Sequence, residues 1–133
     1  MHDSADSVKQ GVLFKRGEGG FLKRKTWKRR YFQLCDAELR YYDTLNGVEK
    51  GKVLLSTDDF VEIMPKDCPK TGDSASTQWR LALHTPTRRF LLSASTEFDM
   101  YRWAEAIARA VETSPRKPSM HTTSPPSRMR ATM

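Results

Sequence analysis

The sequence contains few cysteines and no long apolar segment. Cys35 and Cys68 are its two cysteines, too few for a disulfide framework and without the spacing of metal ligands. We therefore expect two free thiols in a reducing cytosol. No apolar run approaches the roughly 20 residues that a membrane-spanning helix needs. These absences argue against a small secreted domain stabilised by disulfide bonds and against an integral membrane protein.

The sequence also lacks the signatures of export and catalysis. Residues 1–6 have neither the basic nor the apolar region of a secretory signal, and His2 stands where N-myristoylation requires glycine. No Ser/His/Asp, Cys/His or paired-carboxylate arrangement stands out. The glycine-rich stretch 17–20 lacks the Lys-Ser/Thr of a nucleotide phosphate loop. We expect a cytoplasmic binding protein with no enzyme activity, no cofactor and no metal.

Positive charge, in contrast, is concentrated in residues 9–34. This stretch contains nine Lys or Arg and a single acid, Glu18, for a net charge of +8, whereas the whole chain carries +7. Charge of one sign focused on one part of a small domain attracts a polyanionic partner. Residues 9–34 are therefore the candidate binding region.

The composition predicts one domain between two tails. Residues 1–8 are polar, and residues 114–133 form a basic tail rich in proline and serine. Such segments bury too little apolar surface to offset the chain entropy, so we expect both to be disordered. The alternative interpretation is that the Ser-Pro pairs of the tail are phosphorylation sites. We favour an unstructured end or a cut through a longer protein. Residues 9–113 form the predicted domain.

Residues 9–113 predict seven short strands followed by one helix. The helix is expected over about 97–112, with Thr96 as its N-cap and Asp99 at the third helical position. Its apolar residues recur at three- and four-residue spacing, and this stripe must pack against the sheet. The pattern is typical of an α+β fold, mainly β, in which a helix closes one end of a curled antiparallel sheet. The strands are expected at about 10–16, 26–35, 38–44, 51–56, 60–64, 78–84 and 88–94.

Side chains alternate between the two faces of a strand, and this alternation groups basic residues with apolar ones. Lys15 falls on the same face of the first strand as Leu13. Lys28 and Arg30 fall on the same face of the second strand as Phe32. Antiparallel pairing brings all three cations to the turn between the two strands. We therefore predict a ring of polar side chains at the open end of the sheet, formed by Lys15, Lys28, Arg30 and Tyr41.

This predicted ring suits a multiply phosphorylated ring ligand. Arginine offers a planar fork that holds phosphate oxygens bidentately, and lysine adds compact point charges. The glycines at 17, 19 and 20 let backbone N–H groups approach a phosphate. The alternative is a solvated basic face, but the strand alternation opposes it because Lys28 and Arg30 continue onto the apolar face.

The same residues resemble the pleckstrin-homology (PH) domain. The resemblance covers about residues 9–113 and includes the helical Trp103. Residues 25–32 (Lys-Thr-Trp-Lys-Arg-Arg-Tyr-Phe) are similar to those of the cytohesin-type phosphoinositide receptors. Residues 15–18 (Lys-Arg-Gly-Glu) are similar to those of protein kinase B. The resemblance implies a PH-like seven-stranded bent antiparallel barrel capped by one C-terminal α-helix.

The resemblance also implies which residues bind a phosphoinositide headgroup. Lys15, Lys28 and Arg30 match the inositide signature of the family, and Tyr41 matches its strand-three tyrosine. Lys50 stands where cytohesin-type members have an arginine, so the charge is kept and the bidentate geometry is lost. The hairpin at 85–89 is also too short to extend over the ligand. Both departures make 3-phosphorylated bis- and trisphosphates equally plausible ligands. The implied binding residues are Lys15, Arg16, Gly17, Lys28, Arg30, Tyr41 and Lys50.

The loop between the first two strands carries a candidate membrane contact. Two adjacent apolar residues, Phe21 and Leu22, precede a basic run at 23–25. The pair is expected either to enter the lipid interface or to fold back on Trp27. In the first case the basic run meets anionic headgroups. The implied membrane-contact residues are Phe21, Leu22, Lys23, Arg24 and Lys25.

The leading hypothesis is therefore a monomeric signalling module that binds phosphoinositides. It would be recruited peripherally to an anionic membrane surface, either the plasma membrane or an endosome. The alternative is a PH-fold protein-interaction domain with weak, non-specific lipid binding. Nucleic acid is the least favoured partner, because the basic stretch lacks the interleaved exposed aromatics on which single-stranded bases stack.

Overall fold

The computed structural model describes residues 7–17, 26–68, 76–114 and 129–131. The predicted order of seven strands and one helix is confirmed, with boundaries shifted by a few residues. A further short strand follows the helix. The elements are β1 (Ser7–Arg16), β2 (Trp27–Cys35), β3 (Glu38–Tyr42), β4 (Glu49–Leu54), β5 (Phe60–Ile63), β6 (Arg80–His84), β7 (Arg89–Ser93), α1 (Glu97–Thr113) and β8 (Met129–Ala131).

The strands form one sheet in the order β4-β3-β2-β1-β7-β6-β5-β8. The pairs among β1 to β7 are all antiparallel. Helix α1 packs against β5, β1 and β6. Because neighbouring strands run in opposite directions, the β1–β2, β3–β4 and β6–β7 connections lie at the same end of the sheet, which we call the mouth. The site predicted from the sequence lies at this end.

The predicted tails differ from the structure at two places. Strand β1 begins at Ser7, inside the expected N-terminal tail, and Met129–Ala131 forms β8 inside the expected C-terminal tail. Strand β8 runs parallel to β5, pairing Val61 with Met129. The edge of β5 that faces away from β6 presents backbone groups to any available strand, and β8 pairs with them. The rest of both predicted tails lies outside the described residues, apart from Ser114 at the end of α1.

The core is formed by the inward faces of the strands and the apolar stripe of α1. Trp103 is fully buried, and its ring meets that of Phe32 edge-on at a centroid distance of 6.4 Å. The helical stripe predicted from the sequence is buried throughout: Met100, Trp103, Ala104, Ile107, Ala110 and Val111. The core is thus closed by the helix at the end of the sheet opposite the mouth.

The start of α1 is tied to the start of β1. The Thr96 hydroxyl accepts a hydrogen bond from the backbone N–H of Asp99 at 3.0 Å, which confirms the predicted N-cap. The Asp99 carboxylate lies 3.4 Å from the Lys9 ammonium, which also lies 5.0 Å from the centroid of the Trp103 ring.

Across the described ranges, the structure contains no helix with the length and apolarity that crossing a membrane requires.

Candidate anion-binding site

The register of β1 and β2 places the predicted cations together. Lys15 pairs with Lys28, and Leu13 pairs with Arg30. Leu13 is fully buried, so Lys15 and Arg30 lie where the apolar core ends and the mouth begins. The backbone N–H of Gly17 donates to the carbonyl of Thr26 at 2.7 Å, which holds the two strands together at the mouth.

A cleft of about 190 Å³ opens at this point of the mouth. None of the lining residues that the structure describes carries a carboxylate, and four of them carry a positive charge. Like charges held close together repel one another, so this arrangement favours binding of a polyanion that offsets the repulsion. The lining residues are Lys15, Gly17, Lys28, Arg30, Tyr41 and Lys50.

Tyr41 forms the aromatic wall of the cleft. Its ring stacks on Phe32 with 5.2 Å between the centroids, and the Lys15 ammonium lies 5.1 Å from its centroid. Gly51 lies opposite Tyr41 on β4, and a Cβ at Gly51 would overlap the Tyr41 hydroxyl. The glycine therefore allows the phenol ring to lie against β4 with its hydroxyl at the cleft.

Lys50 reaches the cleft because of an irregularity in the pairing of β3 and β4. Tyr41 pairs with Gly51, but Tyr42 pairs with Glu49, so Lys50 is an extra residue in β4. A bulge of this kind re-aims the side chain of the extra residue. Within the described part of the chain, neither Lys50 nor Lys28 forms an ion pair, and both are exposed.

Arg16 is the one described member of the predicted binding set that does not line the cleft. It follows Lys15 on β1, so its side chain leaves the opposite face of the strand. Its Nη1 atom lies 4.0 Å from Sγ of Cys68. The predicted membrane-contact residues Phe21, Leu22, Lys23, Arg24 and Lys25 lie outside the described residues.

Arg88 extends the basic mouth and was missed by the sequence analysis. Two cations approach the ring of Phe90: the Arg88 guanidinium lies 4.0 Å and the Lys15 ammonium 5.9 Å from its centroid. Arg88 and Phe90 also line a second cleft of about 280 Å³ beside the β6–β7 turn. The sequence carried a clue to the position of Arg88, because antiparallel pairing of the strands brings the β6–β7 turn to the mouth.

Other arginines of the sheet form hydrogen bonds and ion pairs within the protein. The Arg89 guanidinium donates to both Asp67 carboxylate oxygens, at 2.8 and 2.7 Å. These hydrogen bonds lower the pKa of the Asp67 carboxyl and raise the pKa of Arg89. Glu38 similarly raises the pKa of Arg40 by accepting a hydrogen bond at 2.7 Å. These charges are balanced within the protein, unlike those of Lys28 and Lys50.

Comparison with known families assigns the fold. The family model of the PH domain matches residues 7–112. The chain belongs to the PH family. This confirms the resemblance seen in the sequence, including the seven-stranded antiparallel sheet and the single C-terminal helix.

One curated relative of this PH domain is the mouse Pleckstrin homology domain-containing family A member 2. It is 31% identical over 117 residues, which cover 84% of this chain and 26% of the relative. The chain therefore spans about a quarter of that relative's length.

Solved PH domains of pleckstrin share the fold. The C-terminal PH domain of human pleckstrin is 27% identical with a TM-score of 0.65, covering 82% of this chain and 91% of that one. A second structure shows the C-terminal PH domain of pleckstrin in complex with D-myo-Ins(1,2,3,4,5)P5. It is 27% identical with a TM-score of 0.58, covering 79% of this chain and 98% of that one.

Proposed function

We propose that this PH domain binds phosphoinositide headgroups and thereby brings the protein to a membrane, without catalysing a reaction. The observation that carries the proposal is the cleft in which four cations and the Tyr41 hydroxyl surround a space of about 190 Å³. The pleckstrin domain in complex with an inositol pentakisphosphate supports it, since that protein shares the fold and 27% of its residues.

Each wall of the cleft has a role in this proposal. Arg30 holds one phosphate through its planar fork, while Lys15 and Lys28 add charge on either side of it. The Tyr41 hydroxyl donates one further hydrogen bond. Gly17 lets the backbone come close to a phosphate, because it has no side chain to hold the ligand away.

We further propose a preference for headgroups that carry a 3-phosphate. Lys50 supplies charge without a fork, and the β6–β7 turn is short, with the Thr85 N–H donating to the Arg88 carbonyl at 2.9 Å. A site open on that side tolerates both bis- and trisphosphates. The expected ligands are therefore 3-phosphorylated inositides of both kinds.

The β1–β2 loop gives the proposed membrane contact. Phe21 and Leu22 enter the lipid interface, and the basic run at 23–25 meets anionic headgroups at about 1 kcal/mol per residue. Replacing both apolar residues with serine should weaken vesicle binding and leave the affinity for free inositol phosphates unchanged. Equal loss of both affinities would rule this contact out.

The proposed function is tested by titration calorimetry with inositol phosphates that differ only at the 3-position. The wild type should bind the 3-phosphorylated ligand tightly, and Arg30→Ala should abolish most of that affinity. Lys66→Ala is the matched control, since Lys66 is an exposed cation that is not among the residues lining the cleft. Weak binding that ignores the isomer and survives Arg30→Ala would refute the proposal.

Protein binding is the second candidate function, and the exposed side of α1 favours it. Phe98 and Tyr101 are 70% and 49% exposed at the start of the helix, at the end of the sheet opposite the mouth. Arg102 lies 5.6 Å from the Phe98 ring centroid. Should calorimetry show no inositide binding, this face is where a search for protein partners would begin.

A further inference from the structure

Two large apolar side chains project from the β3–β4 turn. Leu45 is 60% exposed and Val48 is 65% exposed, among the most exposed of the described large apolar residues. Neither packs on the core. Because an exposed apolar side chain gains free energy only by leaving water, this pair is suited to an apolar partner.

The turn holds this pair in a fixed arrangement. The Asp43 carboxylate accepts hydrogen bonds from the N–H groups of Thr44 at 2.7 Å and Val48 at 2.8 Å. Gly47 donates to the Thr44 carbonyl at 2.9 Å, and a side chain at Gly47 would overlap the Asp43 carboxylate. Binding through a turn that is already ordered costs little conformational entropy.

The pair stands beside the anion-binding cleft. Val48 lies two residues before Lys50, which lines the cleft, and the turn lies at the same end of the sheet as the β1–β2 hairpin. The nearby acids are balanced: Asp43 faces the turn, and Glu49 lies 3.5 Å from the Arg40 guanidinium. A ligand that reaches Lys50 from a flat surface therefore brings that surface against Leu45 and Val48.

We propose that Leu45 and Val48 insert into the acyl-chain boundary of a phospholipid bilayer while the cleft holds a headgroup. This inference rests on the proposed function, because the headgroup sets the orientation of the domain. It adds a bilayer contact in β3–β4 that is separate from the one proposed for Phe21 and Leu22. The energy of such contacts grows with the apolar area buried, so removing both side chains should weaken vesicle binding roughly tenfold.

The experiment compares vesicle binding with headgroup binding in the same variants. Vesicles contain phosphatidylcholine, phosphatidylserine and a 3-phosphorylated phosphoinositide, and the free ligand is the matching inositol phosphate. We expect Leu45→Ser/Val48→Ser to lose vesicle affinity roughly tenfold and to keep its inositol phosphate affinity within about twofold. Phe98→Ser is the control, because Phe98 is 70% exposed but lies at the start of α1, at the end of the sheet opposite the mouth.

A fluorescence measurement reports insertion directly. In Leu45→Trp, the new indole should shift to the blue and be quenched by brominated acyl chains, relative to the wild type. The same substitution at Phe98, at the end of the sheet opposite the mouth, should show neither change. Absence of quenching at position 45 on vesicles that retain the protein overturns the inference, and so does unchanged vesicle affinity in the double serine variant.

Failure of the proposed function is distinguishable from failure of this inference. A wild type that does not bind inositol phosphates refutes the headgroup function, and quenching of Leu45→Trp on vesicles would then show an apolar contact that forms without the headgroup. A wild type that binds inositol phosphates and vesicles, with the double serine variant unchanged, refutes the apolar contact alone. A wild type that binds no vesicles refutes the apolar contact and the membrane recruitment, and the inositol phosphate titration then decides the headgroup binding separately.

Discussion

Two sets of basic side chains in this PH domain differ in what balances their charge. Lys28 and Lys50 line the cleft and, within the described ranges, form no ion pair. Arg80 is 3% exposed and donates to a serine hydroxyl and two carbonyls, while Arg89 holds Asp67 bidentately. The Arg89–Asp67 pair adds nothing to the formal net charge of +7, because its two charges cancel, and the donors of Arg80 are taken up inside the fold. Only cations left unbalanced by the fold can attract a polyanion.

Removing an internally bonded arginine should give the largest effect, on stability. Arg80 donates to the Cys68 carbonyl at 3.1 Å and to Ser76 at 2.6 Å, and stacks on Trp27 at 4.5 Å. Arg80→Leu leaves these acceptors without their donor, so we expect a loss of about 3 kcal/mol in the free energy of unfolding. Urea denaturation measures it.

The matched control for Arg80 is Arg29→Leu, since Arg29 is exposed. It should change the free energy of unfolding by no more than about 0.5 kcal/mol. Similar losses in the two variants would show that burial does not distinguish these arginines.

Removing a cleft cation should give the next largest effect, on affinity alone. Arg30→Ala and Lys15→Ala each delete a charge-assisted contact, so each should lower inositol phosphate affinity by roughly tenfold or more. Calorimetry measures it. Arg89→Ala provides the contrast, because its charge is already paired with Asp67. If Arg89→Ala lost as much affinity as Arg30→Ala, the distinction between the two sets would collapse.

A smaller loss of affinity is expected when the Tyr41 ring, which forms the aromatic wall of the cleft, is displaced without a change in charge. Gly51→Ala places a methyl group against the Tyr41 hydroxyl and forces the ring away from β4. Inositol phosphate affinity should fall by about threefold to tenfold, with about 1 kcal/mol lost from the free energy of unfolding. Tyr41→Phe, which removes the hydroxyl alone, should lose less stability. An unchanged affinity in Gly51→Ala would exclude Tyr41 from the site.

The smallest effect concerns the pH dependence of the Asp67–Arg89 pair. The pKa of Asp67 is lowered in the folded protein, chiefly by its hydrogen bond with Arg89. The pair therefore stabilises the fold above the unfolded pKa of about 4, and this stabilisation is lost as the pH falls through the lower folded pKa. The stability difference between wild type and Asp67→Asn should be small, because the Asp67 side chain is 67% exposed.

Thermal unfolding at neutral pH and at about pH 3 checks this sign. The wild type should exceed Asp67→Asn at neutral pH, and the difference should shrink in acid. A difference that grows in acid would contradict the assigned pKa shift.

The sequence predicted those features that depend on local rules. Strand alternation alone placed Lys15, Lys28 and Arg30 on the face of Leu13, because the period of two is fixed by the backbone. The helix cap at Thr96 and the buried helical stripe followed from the chain's own spacing. The same alternation separates Arg16 from Lys15, which agrees with the position of Arg16 outside the cleft although it was included in the predicted binding set.

Features that depend on distant partners could not be predicted in this way. Arg80 follows Trp79 in an apolar strand, and nothing nearby indicates that its partners come from residues 68 and 76. The direction of the Lys50 side chain depends on a bulge in the pairing of β3 with β4, and the order of residues does not reveal this bulge. Strand β8 pairs with a strand more than sixty residues earlier in the chain.

The central position of β1 has a consequence for how the domain is made. The first strand of the chain pairs with β7 and is tied through Lys9 to the start of α1. A ribosome must therefore release almost the whole domain before the first strand finds its second neighbour. Contacts between the two ends of a chain also slow folding, because a long loop has to close first. The domain is therefore expected to fold only after β7 and α1 have left the ribosome, on a millisecond to second timescale.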